Sequence, residues 1–185
     1  MFILGIDIGG KTRNGFALID SENGNLIKYS DIPYDKKGTP LLHRQKIVQE
    51  INEYLSEYKV DNIVFERINL FRGGFNSRLS SIVSLCKVQT SIIDNFSDKV
   101  IISETDVRHW KSLVFGNGNA EKEDALKYVK TFYPEVNLKI DRKPTKKDPS
   151  TYIENHDLAD AVCIATYGVK NINELNDADH KVNYK

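Results

Sequence analysis

The chain opens on Met-Phe-Ile-Leu-Gly-Ile-Asp-Ile-Gly-Gly, an apolar run broken by one carboxylate, Asp7. A run that apolar predicts a strand buried on both faces. Gly15 to Asp20 predicts a second strand, Asn23-Gly24 a tight turn, and Leu26 to Ile32 a third strand, so the N-terminal third reads as an antiparallel meander. Asp35 to Pro40 is polar and loop-like, and Pro40 suits a helix start. From Leu42 to Tyr58, Ile47, Val48, Ile51, Tyr54 and Leu55 recur at helical spacing. Asn62 to Glu66 then repeats the pattern of the first strand, a short apolar run ending in one acid. A glycine-rich basic loop, Arg72 to Asn76, leads into a helix from Ser77 to Phe96 with Leu79, Ile82, Val83, Cys86, Ile93 and Phe96 on its apolar face. Val100 to Ser103 predicts a fifth strand, Val107 to Leu113 a short helix, and Gly116 to Asn119 a turn. A helix from Ala120 to Tyr133 follows, with Ala125, Val129 and Phe132 inward. Pro134 to Asn155 reads as a long loop carrying Lys139, Arg142, Lys143, Lys146 and Lys147, and the last helix runs from His156 to Tyr167.

A meander followed by alternating helices and strands makes an α/β domain with a five-stranded mixed sheet flanked by helices, the element order of the ribonuclease H-like fold. At 185 residues this is one domain, expected over 1–170, with a polar tail over 171–185. No segment approaches the ~18 consecutive apolar residues of a membrane span, and the N-terminus lacks a signal peptide's charged lead-in, so no membrane partner and a cytoplasmic location are expected. Cys86 and Cys163 sit in apolar helical patterns without a C-x-x-C or histidine companion, which predicts buried free thiols. The 26 basic residues equal the 26 acidic ones. That balance argues against a generic nucleic-acid binder and leaves a local basic face, since acids gathered at one site would free other surfaces.

The candidate chemistry is carboxylate chemistry. An unpaired Asp7 inside an apolar run would be costly, so it needs a partner: a cation such as Lys11 or Arg13, a donor in the Gly9-Gly10 turn, or a metal ion. Asp157 and Asp160 are three apart and project from one face of the last helix, where Leu158, Ala159, Ala161 and Val162 surround them. Asp157 alone reads as a capping-turn residue; Asp160, among apolar neighbours, does not. Asp7, Glu66, Asp157 and Asp160 brought to one pocket would raise one another's pKa values unless cations were present. Oxygen-only ligation suits two Mg2+ ions, with Mn2+ substituting, in the service of phosphodiester hydrolysis. His156 stands beside the acids, placed to orient water or phosphate or simply to begin a helix in solvent.

Gly5-Ile-Asp7 with its glycine turn, the Glu66 strand, Asn76-Ser77, Lys111 before Gly116-Asn-Gly-Asn-Ala120-Glu-Lys122, and Asp157-Leu-Ala-Asp160-Ala161 stand in an order and spacing that resembles the RuvC-type Holliday junction resolvases from Ile3 to Tyr167. The resemblance implies a homodimeric, metal-dependent endonuclease that nicks two opposed strands of a four-way DNA junction. It implies catalytic roles for Asp7, Glu66, Asp157, Asp160 and Lys111, beside which His156 is a catalytic candidate by its position, with the four acids on the metals and the Ser77 to Phe96 helix in the dimer interface. Lys11, Arg13, Arg72, Phe75, Arg78, Lys111 and Lys122 become the candidate DNA-binding residues. The chain departs from the pattern at Ile8, where the family carries proline, and at Asn69, where it carries an aromatic that wedges the junction; Phe71 and Phe75 are the candidate replacements. These departures suggest a divergent member, such as a phage-encoded one. Three other readings compete: a broader branch or flap endonuclease, a junction-binding module that does not cut, and an actin-like phosphotransferase, whose second lobe this length does not hold.

Overall fold

The computed structural model describes residues 1–9, 13–35, 37–68, 75–145 and 148–172, with 75–78 described by backbone alone. Lys11, Asn69, Phe71, Arg72, Lys146, Lys147 and the polar tail from 173 lie outside the described residues, as do the side chains of Phe75 and Arg78. The elements run β1 (Phe2–Asp7), β2 (Arg13–Asp20), β3 (Leu26–Pro33), α1 (Pro40–Glu57), β4 (Val60–Glu66), α2 (Phe75–Phe96), β5 (Ile101–Thr105), α3 (Val107–Phe115), α4 (Lys122–Phe132), β6 (Lys139–Asp141), β7 (Tyr152–Glu154) and α5 (His156–Lys170).

The large sheet has the order β3-β2-β1-β4-β5. β2 is antiparallel to β1 and β3, and β4 is parallel to both β1 and β5. The mixed sheet expected from the meander and the two helical crossovers is therefore present. Period-two alternation sorts β1 and β4 between two cores. Leu4, Ile6, Ile63 and Phe65 pack beneath α1 and α2. Ile3 and Val64 face the other way, into the core built by α3, α4 and α5. Asp7 and Glu66 share the parity of Ile3 and Val64, so both acids emerge on the α5 face. The register that pairs Ile6 with Phe65 brings them out together at the carboxyl ends of the two strands. Ligand sites in open α/β sheets gather at such ends.

α5 lies directly on β1 and β2. Two glycines make that approach possible. A Cβ on Gly5 would stand 2.3 Å from the Ala165 amide nitrogen, and one on Gly15 would stand 2.2 Å from the Asp157 carbonyl oxygen. Ala161 and Ala165 supply the matching small surface on the helix, both fully buried.

Several boundaries and faces differ from the sequence reading. The stretch read as one long loop contains the β6–β7 hairpin, in register from Lys139–Glu154 to Asp141–Tyr152, and Val136 and Leu138 before it are buried. Its strands are only three residues long, too short to show periodicity. In α2 the buried residues are Val88, Ile92, Ile93 and Phe96, whereas Leu79 is 56% exposed and Val83 42% exposed. Among the described side chains of that helix, full burial is confined to the C-terminal half. In α4, Leu126 takes the inward place expected of Phe132, which is 62% exposed and lies against the Tyr128 ring. Cys163 is a buried free thiol as expected, while Cys86 is only half-buried. Among the described residues no helix is long and apolar enough to cross a membrane.

Candidate metal and phosphate site

β1 and β4 carry Asp7 and Glu66 to the carboxyl end of the sheet, and the first turns of α5 bring Asp157 and Asp160 over them. The four acids share one electrostatic environment. Burial, then Asp160, Asp157 and Glu66 in that order, push the Asp7 carboxyl well above the usual 3.8, against a downward pull from Lys122. Asp160 is raised to about 7, chiefly by burial, with Glu66 and Asp157 adding to the rise and Lys111 and Lys122 opposing it. Asp160 Oδ1 is buried without a hydrogen-bond partner. Among the described residues, the acids do not close three at a time around a single point at ligand distance. The structure thus gathers the carboxylates without drawing them into a coordination shell.

Each acid is oriented by its surroundings. Asp157 Oδ2 accepts a hydrogen bond from the Arg13 amide at 3.1 Å. The capping role expected of Asp157 belongs to Asn155, whose side chain accepts from the Leu158 amide at 3.1 Å, because α5 begins two residues earlier than an Asp157 cap requires. Glu66 Oε2 accepts from the Trp110 indole at 3.2 Å. The Gly9 amide, two residues after Asp7, donates to Asn14 Oδ1 at 3.1 Å, and the Asn14 amide nitrogen lies 3.0 Å from His43 Nε2 in the core. Arg13, one of the two cations considered as a partner for Asp7, pairs instead with Asp31 on the neighbouring strand.

The two lysines singled out by the motif stand at the site. Lys111 on α3 donates to the Ala120 carbonyl at 2.6 Å, and Lys122 opens α4. Their pull on Asp160 places both charges within electrostatic reach of the acids. His156, first residue of α5, is half-buried with Nδ1 unpartnered. A cleft of about 210 Å³ runs from Asp7 and Glu66 between α2 and the start of α3, lined by Ile8, Ile82, Leu85 and Val107 among others.

The donor set suits a hard divalent cation. It is all oxygen, it concentrates negative charge where desolvation opposes it, and it leaves a buried carboxylate oxygen without a proton donor. The sequence assigns Trp110 no role, and it shows Gly5 and Gly15 only as motif and strand residues, not as the points where α5 approaches the sheet. Their signals are a single tryptophan next to a motif lysine, and glycines inside strands that otherwise carry bulky residues.

Comparison with known proteins gives a consistent picture. The family model described as Crossover junction endodeoxyribonuclease RuvC matches residues 3–167. No curated protein sequence is significantly similar to the chain. Among solved structures, Thermus thermophilus RuvC aligns with TM-score 0.65 at 18% identity over 98% of each chain. The same organism's RuvC in complex with a Holliday junction substrate aligns with TM-score 0.63 at 15% identity, over 94% of this chain and 96% of that one. The yeast mitochondrial Holliday junction resolvase Ydc2 aligns with TM-score 0.56 at 16% identity, over 94% of this chain and 79% of that one. At these identities the structural likenesses establish the ribonuclease H-like α/β fold.

Proposed function

Because the chain belongs to the RuvC family of crossover junction endodeoxyribonucleases, hydrolases of DNA that depend on divalent metal, we propose that it resolves four-way DNA junctions by paired nicks, with Asp7, Glu66, Asp157 and Asp160 as its metal-holding acids. The observation that carries this reading is the placement of four acids at the carboxyl ends of β1 and β4 under the first turns of α5, where burial and neighbouring carboxylates raise Asp7 and Asp160, since such a cluster stays fully ionised only with cations among it. The acids would hold two Mg2+ ions, for which Mn2+ would substitute. When bound, such ions activate the attacking water and stabilise the leaving 3′ oxygen. Hydrolysis adds water across the P–O3′ bond and leaves a 5′-phosphate and a 3′-hydroxyl that a ligase can rejoin.

The chain's own groups do the remaining work. Asp157 is held in place by the Arg13 amide and Glu66 by Trp110, so neither swings away from its neighbours when charged. Lys111 and Lys122 present positive charge to the scissile phosphate as negative charge develops on it. His156 Nδ1, without a protein partner, orients water or a phosphate oxygen. The apolar residues Leu79 and Val83 exposed on α2, with Leu41 and Leu42 exposed on α1, support a homodimer that presents two sites to the two opposed strands.

The test is cleavage of a labelled synthetic four-way junction beside a fork, a flap and a linear duplex, with Mg2+, with Mn2+ and with chelator. Paired metal-dependent nicks confined to the junction are expected. Comparable cutting of forks and flaps would make the protein a general branch endonuclease. Binding without cutting under every metal condition would make it a junction-binding module.

A further inference from the structure

We propose that Trp110 is a positioning residue for metal binding, its indole N–H fixing the Glu66 carboxylate in the orientation that ligates. The proposal rests on the assignment of Glu66 to the metal site.

The chain has one tryptophan, and it is almost wholly buried. A buried indole must place its single donor on an acceptor, because that N–H is costly to leave unpaired. Here the acceptor is Glu66 Oε2, 3.2 Å away. The indole can only donate, so the bond favours the carboxylate form that a metal requires. An ionised carboxylate accepts at about four lone-pair sites, so one bond to the indole leaves Glu66 capacity to ligate.

The ring itself is fixed. α3 is capped at its start by Asp106, which accepts from the Arg108 amide at 2.8 Å, and ends on Gly116 in the left-handed region at φ 73°. The Phe115 ring stands edge-on to the indole with centroids 5.7 Å apart, and the Lys111 ammonium lies 5.6 Å from the indole centroid. One helix therefore sets Trp110 on Glu66 and Lys111 near Asp160 through adjacent residues. Glu66 lies among acids that repel it, and a glutamate has the reach to swing clear of them. A donor on a rigid helix opposes that swing before any metal arrives.

Trp110→Phe keeps most of the packing and removes the donor. Mn2+ binding is followed by the paramagnetic resonance signal of the free ion for wild type, Trp110→Phe and Glu66→Gln, and junction cleavage is titrated with Mg2+ on the same samples. The expected result for Trp110→Phe is Mn2+ affinity weakened about tenfold and half-saturating Mg2+ raised about tenfold, with the rate at saturating metal reduced less than about threefold. Unchanged metal affinity, or a fall confined to the saturated rate, would overturn the proposal while leaving the site assignment standing. A Glu66→Gln protein that binds Mn2+ as wild type does would overturn the site assignment itself, and the proposal with it. Where phenylalanine leaves the protein poorly folded, benzothienylalanine at position 110 decides in its place, since it keeps the bicyclic shape and exchanges N–H for sulfur.

Discussion

At the scale of single residues, the cost of Asp160 in the metal-free protein is the most informative quantity. Its carboxyl titrates at about 7 in the fold against a usual 3.8. Below the usual value it is protonated in both folded and unfolded chains and costs nothing. Between the two values the folded chain holds a proton that the unfolded chain has released, so stability falls as pH rises, and above about 7 the full cost is present. Asp7 acts in the same direction. Thermal melts in chelator should therefore show these acids lowering stability from pH 5 to pH 8. Asp160→Asn should recover about 2 kcal/mol of it at pH 8 and little at pH 4. A destabilised Asp160→Asn protein at pH 8 would instead make Asp160 a partner in a structural ion pair.

Gly5 belongs to the same scale. The alanine methyl of Gly5→Ala would meet the α5 backbone at Ala161 and Ala165, where nothing flexible can give way. The expected loss is about 3 kcal/mol or more, read from chemical denaturation. Cleavage should fall as well, because the helix that would shift carries Asp157 and Asp160. Gly5 is visible in the sequence as a glycine inside an apolar strand, but what it touches lies about 160 residues away and no local pattern encodes that contact.

At the scale of elements, the strands were legible because buried strands are short, apolar and bounded by turns. β1 and β4 each end in the acid that the pattern singled out, and alternation alone puts both on one face. The α5 acids were legible for a related reason, as two carboxylates in an otherwise apolar helix. What the sequence did not disclose depends on which side of an element finds a partner. The apolar positions of α2 fit an inward face along its whole length, yet among its described side chains only those from Val88 onward include buried ones. The β6–β7 hairpin is held by three register pairs and by the Asn155 amide donating to the Leu138 carbonyl at 2.7 Å, contacts with no periodic signature. α3 is likewise recognisable as a helix, while its hold on Glu66 is a tertiary fact. Lys111 on that helix should act on charge development more than on association. Lys111→Ala is expected to slow junction cutting by about a hundredfold with binding weakened less than about fivefold, measured by single-turnover cleavage beside gel-shift titration. A loss of binding equal to the loss of rate would make Lys111 a simple phosphate anchor.

At the scale of the whole molecule, zero net charge and a DNA substrate are compatible because charge is distributed unevenly. Four acids gather at the carboxyl end of the sheet, where metal ions would reverse the local sign, and Lys111 and Lys122 flank them. The fold also leaves an apolar strip on the N-terminal half of α2. If the proposed homodimer forms through this strip, Val83→Glu should shift the protein toward monomer in sedimentation, with little change in its melting temperature, because that side chain is already exposed. A dimer that survives this substitution would place the interface elsewhere. Whether the four acids act as one metal site is tested most directly by junction binding and cleavage by Asp7→Asn beside wild type in Mg2+. The expected result is a folded variant that binds the four-way junction within about threefold of wild type and cuts it at least about a thousandfold more slowly. Cleavage by Asp7→Asn at a rate close to wild type would contradict it.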